Sequence, residues 1–283
     1  MEFTDIYQKY NKLIFSIAYH MTGNLNDAED ITQETFENFY SIENKDLQFE
    51  KAYLCQIAKN LCINKINKSV KIRIEYTGIN LPEPLGDKQF ENRLEESFIH
   101  NETFNYNLLY MLGILNEDER LLFILREGLN FSYDEITKII DKKATTLRKM
   151  HSRSKEKLLK DTFSKHPKTF KQLDYLVNAI QEENIPKILE LLSNKTVVIS
   201  DGGNEMNVSK VPITKLSRVA ALLKVFINLL NTDKNYRVIS YEIYNHQVAL
   251  NFGIKKELSM ILGIDNDSKI NHIYFIFNQT KIG

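Results

Sequence analysis

The chain has 283 residues, 43% of them hydrophobic, enough for about two domains that each bury a core, so a disordered class is excluded. It has 37 basic and 37 acidic side chains, a formal net charge of zero. No run approaches the roughly 18 apolar residues of a membrane span, and Glu2 and Asp5 place acids where a secretory signal is basic. These features predict a soluble cytoplasmic protein with no membrane association.

Zero net charge conceals segregation. Between Asn24 and Glu50 stand Asp27, Glu29, Asp30, Glu34, Glu37, Glu43, Asp46 and Glu50 against Lys45 alone, whereas Lys51 to Ile74 carries Lys51, Lys59, Lys65, Lys68, Lys71 and Arg73 with no acid. Adjacent blocks of opposite sign are solvated faces or the surfaces of two different partners.

Taken in order, Phe3, Tyr7, Tyr10, Ile14, Ile17 and Ala18 follow helical spacing, and Asn26 with Glu29 predicts a capping box opening "DAEDITQETFENFY". A third helix is predicted through "EKAYLCQIAKNLCINKINK", with Ala52, Leu54, Ile57, Ala58, Leu61, Cys62 and Ile66 as its buried stripe. Cys55 and Cys62 have no His or Cys at ligand spacing, which predicts buried structural thiols and neither metal nor cofactor. From about Ile74 to Asn105 the periodicity fails, and Pro82 and Pro84 in "LPEPLGD" predict an extended linker. Helical pattern resumes at "YNLLYMLGILNEDERLLFILREGLNFSYDEITKII", where Asn116/Glu119 and Ser132/Glu135 form two further capping boxes.

The segment "TTLRKMHSRSKEKLLK" sets Arg148, Lys149, Arg153, Lys155, Lys157 and Lys160 against one acid, Glu156. On a helical wheel Leu147, Met150, Ser154 and Leu158 share one side, with Thr145, Arg148, Lys149, Ser152 and Glu156 opposite. A capped helix "SYDEITKII", a turn "DKKA" in which Asp141 can take a left-handed backbone, and this basic helix form a helix-turn-helix. Long cationic donors on such a second helix reach base edges and phosphates in the major groove.

After "SKHPKTF" the texture changes. Leu173, Leu176, Val177 and Ile180 predict one helix, and Pro186 stands at the first position of the next. The runs "TVVIS", "YRVISYEIY", "QVALNFGI", "ELSMILGI" and "KINHIYFIF" read as strands, interrupted by a helix from about Ile213 to Leu230. The prediction is an α+β unit around a curved antiparallel sheet, with "SDGGN" as a tight hairpin.

The stretches "YNKLIFSIAYHMTGNLNDAEDITQETFENFY", "EKAYLCQIAKNLCINKINK" and "LNEDERLLFILREGLNFSYDEITKIIDKKATTLRKMHSRSKEKL" resemble, in order, the two conserved regions of an extracytoplasmic function sigma factor of the sigma-70 family. The resemblance implies core RNA polymerase and promoter DNA as partners. It assigns residues 1–74 to region 2, 75–105 to the linker and 106–161 to region 4. In region 2, Asp27, Glu29, Asp30, Gln33 and Phe36 would face polymerase, and Tyr53, Asn60, Asn64, Lys65 and Lys68 would engage the −10 element, by base stacking for Tyr53 and amide pairing for the asparagines. In region 4, Thr145, Arg148, Lys149, Ser152 and Arg153 would read the −35 element.

The extension, residues 168–283, resembles a SnoaL-like domain of the nuclear transport factor 2-like fold, an α+β cone. The chain is thus expected to be multidomain, with two all-α sigma domains followed by this α+β domain. In the subgroup of the family with this fusion the extension regulates the sigma domains in place of a separate anti-sigma factor. Its motifs are Trp-Leu-Pro-Glu-Pro in the linker, Asp-Gly-Gly-Gly in the extension and an Asn-Pro-Asp-Lys-Leu-like segment near the end. Here Leu81, Pro82, Glu83 and Pro84 follow Asn80 in place of Trp. Asp201, Gly202 and Gly203 precede Asn204, and Asn278, Lys281 and Ile282 stand with Gln279 and Thr280 between them. The regulatory contacts are expected among these residues. An alternative is a pocket that performs cyclase or isomerase-like chemistry with Asp201, His246 and His272, or that binds a small-molecule effector without chemistry. His246, in an Asn-His turn, is expected to be solvent-exposed.

Overall fold

The computed structural model describes residues 3–41, 49–72, 78–158, 171–203, 206, 208–232, 239–253, 258–265 and 267–282. They fall into two compact units, the first within Met1–Glu75, Lys88–Phe104 and Leu108–Asp161, the second within Tyr76–Asp87, Asn105–Asn107 and Thr162–Gly283. The break at "SKHPKTF", Asn204, and Leu159 and Lys160 of the basic segment lie outside the described residues.

The first unit opens with α1 (Phe3–Thr22), α2 (Leu25–Tyr40) and α3 (Glu50–Ile72). Ile6, Tyr10, Leu13, Ile14, Ile17, Ala18 and Met21 form the buried stripe of α1. The helix stops at Gly23, whose φ of 67° is the left-handed conformation glycine tolerates best. Asn24 is then extended and its side chain accepts from the Asp27 amide at 2.8 Å. The N-cap of α2 is therefore Asn24, not Asn26 as expected, because only Gly23 and Asn24 separate the two helices. Leu54, Cys55, Ala58 and Cys62 of α3 are fully buried, and burial pushes both thiols up to about 12.

The linker departs from its expected extended form. Beyond Gly86 the chain forms α4 (Asp87–Arg93) and α5 (Glu96–Ile99). Phe90, Leu94 and Phe98 are buried at helical spacing. The Phe98 ring stacks on His20 with centroids 4.2 Å apart and meets Phe104 edge-on at 4.7 Å. Then come α6 (Tyr106–Met111), a 3-10 turn, α7 (Glu117–Phe123) running into a π-helical turn over Ile124–Gly128, α8 (Tyr133–Thr137) and α9 (Ala144–Leu158). Both expected capping boxes, Asn116/Glu119 and Ser132/Glu135, are formed. The Arg120 guanidinium donates to the carbonyls of Met21, Leu112 and Leu115 at 2.6, 2.9 and 3.4 Å, tying α7 to the end of α1.

The second unit contains α10 (Lys171–Gln181), α11 (Ile185–Glu190), β1 (Leu192–Asp201), α12 (Leu216–Thr232), β2 (Ile239–Tyr244), β3 (Gln247–Phe252), β4 (Leu258–Ile264) and β5 (Ile270–Ile276). Pro186 is the second residue of α11, behind an Asn184 cap. The sheet order is β1-β5-β4-β3-β2. It is mixed rather than antiparallel as expected, because β1 runs parallel to β5 while the other pairs are antiparallel. Residues 200–203 are accordingly no two-residue hairpin: Asp201 ends a strand paired with β5, and it is Ile213 that is bridged to Val198. One sheet face, with Val198, Leu250, Phe252, Met260, Ile273 and Phe275, packs with Leu176, Ile180, Leu223, Phe226 and Leu230 of the helices as a continuous apolar core.

Candidate functional site

The exposed face of α9 carries Thr145, Arg148, Lys149, Ser152 and Arg153, all of the residues expected to read the upstream promoter element. Its buried face is Leu147, His151, Ser154 and Leu158, whereas Met150, expected there, is half-buried. His151 is buried with Nδ1 hydrogen-bonded to the Tyr133 hydroxyl at 2.9 Å, while Nε2 lies 3.0 Å from Glu127 Oε1 without hydrogen-bond alignment. Burial, reinforced by Lys155 and Arg126 and opposed by Glu127, lowers the imidazole pKa below its ordinary value of 6.5. The turn before α9 closes through the Ile140 amide donating to the Ile136 carbonyl at 2.8 Å. Asp141 keeps a negative φ, so the expected left-handed residue is not needed there.

On α3, Asn60, Asn64 and Lys68 are exposed, while Tyr53 is half-buried with its ring 6.1 Å from Phe39. Lys65 Nζ lies 2.9 Å from Asp27 Oδ1 and 3.4 Å from Asp30 Oδ2, and hydrogen bonding to Asp27 is the main cause of its raised pKa. Arg93 of α4 pairs with Glu29 at 2.6 Å. The acids expected to meet polymerase are thus engaged by cations of the same unit, in half-exposed pairs that an outside partner can exchange at small cost. Gln33 is exposed and donates to Glu37 at 2.7 Å. Phe36 corrects the expectation: it is 2% exposed and its ring packs 4.8 Å from Tyr7, so it belongs to the core.

In the second unit the three sequence motifs converge on one carboxylate. Asp201 is fully buried, and its oxygens accept from Lys281 Nζ at 2.6 Å, the Leu81 amide at 2.9 Å and the Gly203 amide at 3.0 Å. Lys281 also donates to the Leu81 carbonyl at 2.5 Å and to the Asn80 side chain. A Cβ on Gly202 would lie 1.9 Å from the Met206 carbonyl oxygen, and one on Gly203, at φ 57°, would lie 3.0 Å from the Asn278 side chain. Asn278 in turn caps the short turn that presents Lys281, accepting from the Thr280 amide at 3.2 Å. The rest of the linker motif continues along this unit. Pro84 is buried, Pro82 and Glu83 are half-buried, and the Pro82 carbonyl accepts from the Tyr106 hydroxyl at 2.7 Å.

A second set of linker contacts has no counterpart among the expected residues. Asn245 and His246 form the β2–β3 turn with φ of 45° and 60°. Asn245 Oδ1 accepts from the Leu85 amide at 2.8 Å, its amide donates to the Leu85 carbonyl at 3.0 Å, and its carbonyl accepts from the Tyr106 amide at 2.9 Å. Gln247 accepts from the Asn107 amide at 2.8 Å, and Tyr274 donates to the Asn107 side chain. The Asn-His turn signal marks the position, but nothing local to it indicates which backbone it binds.

His246 is half-buried rather than exposed, and His272 is 7% exposed, stacked on Tyr274 with centroids 5.9 Å apart. Asp201 pairs with Ile276 in the β1–β5 ladder, four residues from His272 and so about 13 Å along the strand. That separation does not make an acid–base pair. Among the described residues no helix is long and apolar enough to cross a membrane, and no cluster of His, Cys, Asp or Glu could hold a metal ion.

Comparison with known proteins agrees with this arrangement. Residues 6–71 match the family model for sigma-70 region 2, and residues 106–158 match that for sigma-70 region 4. The chain is 28% identical over 163 residues to the ECF RNA polymerase sigma factor SigE of Mycolicibacterium smegmatis, covering 57% of this chain and 62% of that protein. It is 26% identical over 143 residues to the ECF RNA polymerase sigma factor SigJ of Mycobacterium tuberculosis, covering 50% of this chain and 46% of that protein. These matches therefore span about half to three-fifths of the relatives' own lengths. The crystal structure of the Mycobacterium tuberculosis extracytoplasmic function sigma factor SigJ superposes with a TM-score of 0.73 at 18% identity, over 98% of this chain and 97% of that one. The shared fold includes the α+β unit, in agreement with a SnoaL-like domain. With a region 2 and a region 4 following each other in one chain of this fold, the protein belongs to the extracytoplasmic function sigma factors of the sigma-70 family.

Proposed function

We propose that the chain binds core RNA polymerase and directs promoter-specific transcription initiation without catalysing a reaction itself. The observation that carries this is the exposed face of Arg148, Lys149, Ser152 and Arg153 on α9, seated behind a doubly hydrogen-bonded cap in the same chain as region 2. Two cationic guanidinium groups and a hydroxyl so spaced suit base edges and flanking phosphates. Asp27, Glu29 and Asp30 are the polymerase-facing acids. Asn60, Asn64, Lys65 and Lys68, with Tyr53, form the −10 face. In vitro transcription from a promoter library with core polymerase tests this. The chain should select a subset of promoters, and Arg148→Ala should alter the selection at the upstream element.

The α+β domain regulates that activity. Support comes from the linker: residues on both sides of α4 and α5, Leu81–Leu85 and Tyr106–Asn107, are hydrogen-bonded to Asp201, Lys281, Asn245 and Gln247. Whatever holds the linker also sets how far regions 2 and 4 can separate along a promoter. Removal of residues from Lys168 onward should change promoter-directed transcription, and unchanged output in both directions would refute the regulatory role. A small-molecule effector is favoured by one observation, a cavity of about 290 Å³ lined by Ile180, Gln181, Ile227, Leu230, Asn231 and Ile239. Thermal stabilisation of the full chain by a compound that Leu230→Phe no longer recognises would support it.

A further inference from the structure

Tyr133, the first residue of α8, lies outside the face assigned to DNA, yet it touches two residues of α9. The Arg148 guanidinium carbon is 5.0 Å from the centroid of its ring, within the roughly 6 Å range of a cation–π contact. Its hydroxyl is 2.9 Å from Nδ1 of His151, one helical turn further along. We propose that Tyr133 is a specificity-determining positioning residue, whose ring holds the Arg148 guanidinium in the direction from which it reads a base. This rests on the assignment of α9 as the promoter-reading helix.

The ring is itself held. Ser132 and Glu135 close the cap immediately before it, with the Ser132 amide 2.7 Å from Glu135 Oε2. The Arg126 guanidinium, anchored by donating to the Phe131 carbonyl at 2.8 Å, sits 5.0 Å from the same centroid. His151 is buried, and its Nε2 is 3.0 Å from Glu127 Oε1, which is also 3.0 Å from Lys155 Nζ. A long, exposed arginine otherwise samples many rotamers before it finds the bidentate geometry that distinguishes one base. A fixed aromatic plane beneath it removes much of that search. The ring therefore acts on selectivity through Arg148 and makes no base contact itself.

The test uses the full chain with core polymerase and promoters altered one base pair at a time across the upstream element. Arg148→Ala first identifies the base pairs whose discrimination depends on Arg148. Tyr133→Leu is expected to lose roughly tenfold discrimination at those same base pairs and to keep it elsewhere. Tyr133→Phe, which retains the ring, is expected to keep it everywhere. Where the leucine variant does not fold, Tyr133→Met, of similar volume and without an aromatic face, takes its place. Unchanged discrimination in a folded leucine or methionine variant overturns the proposal, as does a phenylalanine variant that behaves like leucine. If Arg148→Ala itself alters no base preference, the assignment of α9 falls and takes the proposal with it.

Discussion

Asp201→Asn tests the hub of the linker contacts. The wild-type carboxylate accepts three hydrogen bonds, from Lys281, Leu81 and Gly203, with no solvent exposure, and the Lys281 side chain is only 10% exposed. An amide leaves one acceptor oxygen and turns an NH2 group toward at least one donor. Removing one partner of a buried ion pair costs about 3–5 kcal/mol. Lys281 keeps the Leu81 carbonyl and the Asn80 amide oxygen, which places the expected cost near the lower end, about 3 kcal/mol. Amide hydrogen exchange reads this locally, where a denaturation midpoint would mix the two units. The Leu81 amide should exchange roughly a hundredfold faster in the variant, the factor that about 3 kcal/mol implies. The Leu85 amide, held by Asn245 in the same strip, should follow in part. Unaltered exchange at Leu81, with a loss of global stability below about 0.5 kcal/mol, would refute the assignment of Asp201 as the hub.

Three further outcomes follow from the geometry. The folded-state pKa of His151 is depressed, so its contribution to stability is complete above the unfolded value of 6.5 and is lost as pH falls through the folded value. Thermal midpoints should drop on acidification below that point in the wild type and drop less in His151→Gln; parallel curves would contradict the burial argument. Cys55 and Cys62, with thiols pushed up to about 12, should resist alkylation in the native chain at neutral pH and react after denaturation, whereas rapid native labelling would contradict their burial. Gly202→Ala should destabilise the second unit by about 1–3 kcal/mol, because its Cβ meets a backbone carbonyl that cannot rotate away, and wild-type exchange at Leu81 in this variant would count against it.

Much of this was legible in the sequence because its signals are local. A capping box, a 3.6-residue apolar stripe and an amphipathic basic helix are written within a few turns of chain, and α7, α8 and α9 appear where those signals place them. What the sequence withheld is pairing between distant segments. Nothing near β1 indicates that it joins β5 in parallel, and nothing in "YNHQ" indicates that Asn245 holds Leu85, because partner choice depends on the whole sheet. The linker helices are hidden for a related reason: α4 and α5 are too short to show a period, and burial of Phe90, Leu94 and Phe98 stabilises them. Phe36 shows the limit of carrying a role over by motif, since Glu29, Asp30 and Gln33 of the same motif are exposed while its own ring lies on the buried face of α2, with Thr32, Thr35 and Phe39, and fills the space beside Tyr7. No local pattern marks His151 as a core residue, because its burial depends on Tyr133 and on the neighbouring Glu127 carboxylate, which belong to other elements.

A chain that gives core polymerase a two-part promoter address, as proposed above, leaves a two-part footprint when the reconstituted holoenzyme is bound to a selected promoter. The full chain with core polymerase should protect two separated blocks. Arg148→Ala should weaken the upstream block, and Asn60→Ala with Asn64→Ala the downstream one. Core polymerase and the intact chain giving no promoter-specific protection beyond that of core polymerase alone would contradict it.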